Sequence, residues 1–169
     1  MERFWQIYWP SAAGKLELFM PITYSHQELA AFIQERKPLP ANWRSQFLTK
    51  LKRSHKEEHL VLTGDSGNTF RVIIRQNLFN PLDFSVILAV QVPHSNEIFR
   101  LRRYNGGSHE HTNQIEKVKF VGFHIHSATE RYQAEALLPD DGYAEPTNRY
   151  NEPNGALQCL FDDANFEEP

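Results

Sequence analysis

The sequence contains a single cysteine, Cys159, among its 169 residues. An internal disulfide needs a second cysteine and a cysteine-based zinc site needs several, so both are excluded. A chain without disulfides is well suited to a reducing compartment. We therefore expect a cytoplasmic protein.

The sequence also lacks long apolar runs and an excess of basic charge. No apolar run reaches the length of about 18 residues that crosses a membrane, and the first residues do not resemble a signal peptide, so we expect no membrane partner. With 18 basic and 21 acidic residues the formal net charge is -3. Nucleic-acid binding would therefore depend on a local patch, because domains of that class often carry a basic excess.

The length favours one domain, and 12% aromatic residues favour a packed core. We predict a single α+β domain over residues 1–169. Strands and helices would occupy residues 1–57, the core of the sheet residues 58–133, and a loop with a closing helix residues 134–169.

Three helices and a mainly antiparallel sheet of five to seven strands are predicted. Ser25 and Glu28 form a capping box that begins a helix ending near residue 36. A second helix, from residue 41 to about 55, would carry a basic side that faces either phosphate or solvent. The third would cover residues 154–166. Strands are predicted at 3–9, 15–19, 59–63, 69–75, 84–92, 98–104 and 119–126, and their short connections favour antiparallel pairing.

Alternation along residues 98–104 assigns side chains to the two faces of that strand. One face would carry Ile98, Arg100, Arg102 and Tyr104, and the other Phe99, Leu101 and Arg103.

Four of the eight histidines lie within residues 101–133, as the pairs His109 with His111 and His124 with His126. Side chains two residues apart on a strand share a face, so the members of each pair would project together and the pairs could converge on one pocket.

Three interpretations of this cluster remain open. In the first, the site cleaves RNA without a cofactor: one imidazole removes a proton from a ribose hydroxyl and another protonates the leaving oxygen. The acid and base candidates are His109, His111, His124, His126 and Glu130. The substrate-binding candidates are Arg102, Arg103, Tyr104, Asn105, Asn113, Arg131 and Tyr132.

In the second interpretation the cluster binds a divalent metal such as Zn, Mn, Fe or Ni. The spacing of His109, His111, Glu116 and Gly122 resembles part of the first metal motif of the cupin barrels, although the glycine that precedes that motif is replaced by Arg103. The candidate ligands are His109, His111, Glu116, His124 and His126. In the third interpretation the histidines are ordinary residues of a binding or scaffold protein.

A family resemblance bears on the choice among these interpretations but does not fix the chemistry. An Arg-Tyr-Asn segment, paired histidines and a later His-x-His resemble the core of small bacterial toxins of the TumE type. The matching positions are Arg103, Tyr104, Asn105, His109, His111, His124 and His126. From about residue 58 onward the chain also resembles an uncharacterised bacterial family. The resemblance implies a toxin or defence protein that acts on RNA and has a cognate antitoxin. This chain lacks an aspartate of the toxin segment and adds roughly 55 N-terminal residues.

Overall fold

A computed structural model describes residues 22–169. The strands predicted at 3–9 and 15–19 lie outside the described residues. The helices are α1 (His26–Gln34), α2 (Glu130–Ala134) and α3 (Pro153–Asp163). The strands are β1 (Lys37–Pro38), β2 (Leu48–Leu51), β3 (His55–Thr63), β4 (Thr69–Asn77), β5 (Phe84–Gln91), β6 (Ile98–Asn105), β7 (Glu110–Asn113), β8 (Val118–Val121), β9 (His124–Ser127), β10 (Tyr143–Pro146) and β11 (Phe166–Glu167).

One antiparallel sheet of seven strands, in the order β10-β9-β6-β5-β4-β3-β2, is the centre of the fold. The predicted α+β class is confirmed. Among residues 22–169 there are two further small sheets, the β7–β8 hairpin and a parallel pair of β1 with β11. α1 begins at the predicted capping box, in which Ser25 Oγ accepts from the Glu28 amide and the Glu28 carboxylate accepts from the Ser25 amide.

The predicted second helix is wrong. Residues 43–46 form only a short 3₁₀ turn, and β2 follows directly. Trp43 is buried at that turn against Phe161, with ring centroids 5.2 Å apart, which anchors it to α3. Residues 48–51 pair with β3 instead of continuing a helix, and Leu48 and Leu51 are exposed. Tertiary pairing has overridden the helical spacing.

The sheet has two unlike faces. α3 packs on β5 and β6, and α1 on β6, over a face that includes Val86, Leu88 and Tyr104. We call this the helix face. The opposite face, which we call the open face, carries Arg103 and His126 side by side in the β6–β9 register.

A bulge in β6 decides which arginines reach the open face. Arg100 pairs with Ala89 and Arg102 with Leu88, so Leu101 is an extra residue and the alternation shifts by one position. Arg100 and Arg103 therefore share the open face, while Arg102 turns to the helix face together with Tyr104. The regular alternation predicted for residues 98–104 is corrected accordingly.

The strand predicted at 119–126 is divided in two. Gly122, with φ of 114°, separates β8 from β9, and this backbone conformation favours glycine. The break lets β8 turn back onto β7 while β9 enters the main sheet.

A carboxylate bridges the sheet and α3 on the helix face. Asp163 accepts a hydrogen bond of 2.8 Å from the Tyr104 hydroxyl and two of 2.8 Å from the Arg149 guanidinium. Burial raises the pKa of Asp163, but the hydrogen bonds from Arg149 and Tyr104 outweigh it, so the pKa lies below its usual value. The charged carboxylate therefore stabilises the folded state.

This network predicts a loss of stability in acid. A lowered folded pKa contributes stability above the unfolded value of about 4, and the contribution is lost as the pH falls through the folded pKa. We expect Asp163→Asn to cost about 1–3 kcal/mol at pH 7 and to lose less stability than wild type on going to about pH 3. Urea unfolding at both pH values measures this. Asp162→Asn, at the exposed neighbour, is the control, and equal acid losses in wild type and Asp163→Asn would contradict the prediction.

Candidate metal centre

Three of the four predicted histidines meet on the open face, close to one edge of the sheet. His124 and His126 come from β9 and are 0% and 3% exposed. His111, on β7, is half-buried, and its ring centroid lies 5.2 Å from that of His124 and 4.6 Å from that of His126. One nitrogen from each ring lies within 4.8 Å of the others, so the three imidazoles could hold a metal ion.

Each of these imidazoles is fixed by an oxygen acceptor on one nitrogen. His124 Nδ1 lies 2.7 Å from the Gly122 carbonyl oxygen, and His126 Nδ1 lies 2.8 Å from that of Asp141. A carbonyl oxygen only accepts, so His124 Nδ1 donates and His124 Nε2 keeps a lone pair. The shorter contact assigns the same tautomer to His126, whose Nδ1 is also approached by the donor Arg103 Nη2 at 3.2 Å. Such an oxygen partner on the far nitrogen is the usual arrangement around metal-binding histidines.

His111 is held in the same way with the opposite tautomer. Its Nε2 lies 3.0 Å from Asn113 Oδ1. The orientation of the Asn113 amide is set by the Ala144 backbone, whose N–H donates to Oδ1 and whose carbonyl accepts from Nδ2. The Asn113 contact therefore assigns the donor hydrogen to His111 Nε2, and the Gly142 backbone is a further hydrogen-bond partner of the ring.

The environment keeps the three rings neutral. Burial lowers the pKa of His126 to about 2, with a further lowering from the Arg103 charge, and lowers that of His124 to about 4. Burial also lowers the pKa of His111, against the hydrogen bond to Asn113. Neutral imidazole is the form that binds metals, so no proton has to leave at neutral pH.

Asn105 approaches the free side of the two buried histidines. Its side chain is 2% exposed, and its Nδ2 lies 3.3 Å from His124 Nε2 and 3.4 Å from His126 Nε2. Bonds of about 2.0–2.1 Å to a tetrahedral ion place two ligands about 3.3–3.4 Å apart. The amide end is thus at the spacing of a further ligand. Ser85 Oγ donates to Asn105 Oδ1 at 2.8 Å from the opposite direction.

The other candidate ligands, His109 and Glu116, do not belong to the group of mutually close nitrogen atoms. His109 is exposed; its Nδ1 contacts Ser108 Oγ at 3.2 Å, and its ring centroid lies 5.3 Å from that of His124. Glu116 accepts hydrogen bonds from Arg131 and from the Tyr132 hydroxyl. The cupin-like spacing therefore does not bring the Glu116 carboxylate to the histidines.

The remaining predicted residues divide between the two faces. Arg102 and Tyr104 bind Asp163 on the helix face. Glu130 is exposed at the start of α2. Arg103 stays at the site, where its Nη2 lies 3.2 Å from His126 Nδ1.

Sequence reasoning missed one residue that organises the centre, Asp141. This carboxylate is 0% exposed; its Oδ2 accepts from Arg103 Nε at 3.0 Å, and its Oδ1 lies 3.2 Å from Arg100 Nη2. Its backbone carbonyl also fixes the His126 ring. Asp141 lies in the loop between α2 and β10, where no periodicity or motif singles it out.

No family model, curated protein or solved structure matches this chain. The resemblance to TumE-type toxins therefore stays a prediction. Within residues 22–169, no helix has the length and apolar character needed to cross a membrane.

Proposed function

We propose that this protein is an enzyme that depends on a divalent transition metal bound by His111, His124 and His126. The observation that carries the proposal is that each ring has one nitrogen engaged by an oxygen and offers a nitrogen that lies within 4.8 Å of those of the other two rings. An oxygen partner on the nitrogen remote from the metal is the usual arrangement of histidine ligands.

The chemistry of the donor set suits Zn, Mn, Fe or Ni, which imidazole nitrogen binds well. Three neutral ligands leave the positive charge of the ion uncompensated, and such an ion is a Lewis acid that lowers the pKa of a bound water. Asp141 does not neutralise the centre directly, because its carboxylate is occupied by Arg100 and Arg103. An ion with spare charge and ligand positions is typical of catalytic sites.

Asn105 supplies a further ligand in this proposal. Rotation of its amide would present Oδ1 to the histidine side and Nδ2 to Ser85 Oγ, which can accept as well as donate. The Asn105 side chain could then bind the metal through Oδ1 while it stays in its buried position.

Substitution of Asn105 tests this role. Asn105→Ala is expected to weaken Zn²⁺ binding about 10–100-fold, the range seen when groups supporting a metal site are removed. Asn105→Asp offers an oxygen in either orientation and should bind at least as tightly as wild type. If the amide acts only as a donor to the histidines, Asn105→Asp will bind as weakly as Asn105→Ala. Competition with a fluorescent chelator gives the affinities, and Asn148→Ala, at an exposed loop residue, is the control.

Cleavage of RNA by the histidines alone stays a prediction, as does the cognate antitoxin. The low pKa values of His124 and His126 do not favour it, because at pH 7 such an imidazole is a weak base and lacks the imidazolium proton that a general acid donates. A metal-dependent nuclease remains compatible with the proposed centre.

Elemental analysis and activity assays test the proposed function together. The purified protein should retain about one equivalent of a transition metal, or take it up after removal with a chelator. Total RNA and the esters p-nitrophenyl acetate and bis(p-nitrophenyl) phosphate are then incubated with the loaded and the metal-free protein. Turnover that stops without metal and returns on its addition supports the proposal. RNA cleavage unaffected by chelator would support the metal-free mechanism, and no metal uptake would refute the centre.

A further inference from the structure

The open face carries more positive charge near the metal centre than its acidic groups balance. Arg71, Arg100 and Arg103 all point to this face by the strand register, and Asp141 is the carboxylate that Arg100 and Arg103 share. Arg71 has neither a hydrogen bond nor an ion pair to any residue that the structure describes, and its Nε is buried. A buried donor without a partner carries a free-energy cost that a ligand would remove.

In the register of the sheet, Arg71 and Arg100 lie on either side of a small residue, Ala89. Arg71 of β4 and Arg100 of β6 both pair with Ala89 of β5, one from each side. The Ala89 side chain is only a methyl group, so nothing larger from β5 separates the two guanidinium groups. Adjacent strands lie about 4.8 Å apart, which puts the two arginine backbones about 10 Å from each other. That span suits one oxyanion between two side chains of arginine length.

A row of four side chains, of which the first two are apolar, leads from the strands of Arg71 and Ala89 to the metal centre. Ile73, Ile87, Arg103 and His126 are neighbours across β4, β5, β6 and β9 on the same face. Both isoleucines are half-buried, so part of each side chain faces solvent. From the strand spacing, the row extends about 14 Å from Ile73 to His126.

We propose that the open face binds an organic molecule with an apolar body and an oxyanion group, which is either a phosphate or a carboxylate. Arg71 and Arg100 bind the oxyanion, Ile73 and Ile87 contact the apolar body, and the far end of the molecule reaches the metal. This substrate class rests on the proposed metal-dependent enzyme for the reaction, but the binding itself does not require the metal.

The composition of the face argues against a single-stranded nucleic acid as the ligand. Among the open-face positions of β3 to β6, all within the described residues, none is Phe, Tyr or Trp. Surfaces that bind single strands usually stack bases on aromatic rings. Aliphatic side chains flanked by arginines suit a smaller amphipathic anion.

Calorimetric titration of the metal-free protein tests the proposal, with hexyl phosphate, hexanoate and uncharged 1-hexanol as probes. At least one anion should bind with a Kd of about 1 mM or tighter and hexanol should not, because charge-assisted hydrogen bonds to arginine supply the difference. The anion that binds more tightly identifies phosphate or carboxylate as the preferred group. Absence of binding by both anions at about 10 mM would overturn the proposal.

Arg71→Gln should weaken binding of the preferred anion about tenfold or more, since a charged hydrogen bond is lost. Arg53→Gln, in the exposed β2–β3 turn, should leave it unchanged, and thermal unfolding checks that both variants fold. Wild-type affinity in Arg71→Gln would overturn the proposal. His111→Ala should bind the anion normally in the absence of metal, so a failure of the metal centre is distinguishable from a failure of the anion site.

Discussion

His111→Ala is expected to lower the affinity for Zn²⁺ by more than about 100-fold, whereas His109→Ala should change it by less than about threefold. Imidazole nitrogen is a better ligand for Zn²⁺ than an amide oxygen, so loss of His111 should exceed the effect of about 10–100-fold expected for Asn105→Ala. The two residues belong to one His-x-His pair, yet only His111 places a nitrogen within 4.8 Å of those of His124 and His126. The pair therefore provides its own matched control.

His111 lies in the β7–β8 hairpin and His109 directly precedes it, so the two substitutions differ mainly in whether the side chain belongs to the three-histidine group. His111 is half-buried and His109 exposed, so neither change opens a deep cavity in the core. Chelator competition gives the Zn²⁺ affinity, and absorption of the Co²⁺ form reports the number and geometry of ligands. Thermal unfolding of the metal-free variants should remain close to wild type. Equal losses in His109→Ala and His111→Ala would show that the three-histidine centre is wrong.

The sequence predicted the sheet because its signals are local. The hairpin from 59 to 75, the apolar strand near 84–92 and the capping box at Ser25 each depend on neighbouring residues, and the structure confirms them. The pairing of His124 with His126 on one face also follows from the period of a strand alone. These features need no knowledge of distant parts of the chain.

What the sequence could not predict depends on contacts between distant segments. The bulge at Leu101 decides that Arg103, and not Arg102, reaches the histidines, and it exists only in the pairing of β6 with β5. The apolar spacing after residue 41 predicted a helix, but residues 48–51 form β2 because they pair with β3. Asp141 becomes part of the site because the loop after α2 packs against β6. No sequence motif predicts this contact.

The pairing of β2 determines where Lys50, part of the basic segment predicted as the second helix, lies relative to the histidines. Lys50 lies on the same open face as His124, since the register connects them through Glu57, Arg75, Ser85 and Asn105. The two are five strands apart, or about 24 Å at the usual spacing. The segment is too far away to contact an ion at the histidines but shares the surface proposed to bind an anion.

Lys37→Met is expected to destabilise the fold by about 2–4 kcal/mol, which for a chain of this size lowers the melting temperature by about 5–15 °C. The Lys37 side chain is 0% exposed, and its three N–H groups are shared among the carbonyl oxygens of Phe32, Ile33, Glu35 and Ala164, which lie 2.7–3.1 Å from Nζ. One ammonium group thus satisfies the carbonyl ends of both α1 and α3, where the helix dipoles favour a positive charge.

Methionine would fill most of the same volume but donates no hydrogen bond, so the loss measures the polar contacts and not a cavity. Burial lowers the pKa of Lys37 to about 8, against the attraction of Glu35, so most of the amine is still charged at pH 7. The charge also lies 4.5 Å from the centroid of the Phe70 ring. Urea unfolding at pH 7 gives the free energy of unfolding, with Lys50→Met on the exposed strand β2 as the matched control. If both variants unfold at the wild-type urea concentration, the carbonyl oxygens must find other donors, and Lys37 does not join the two helix ends.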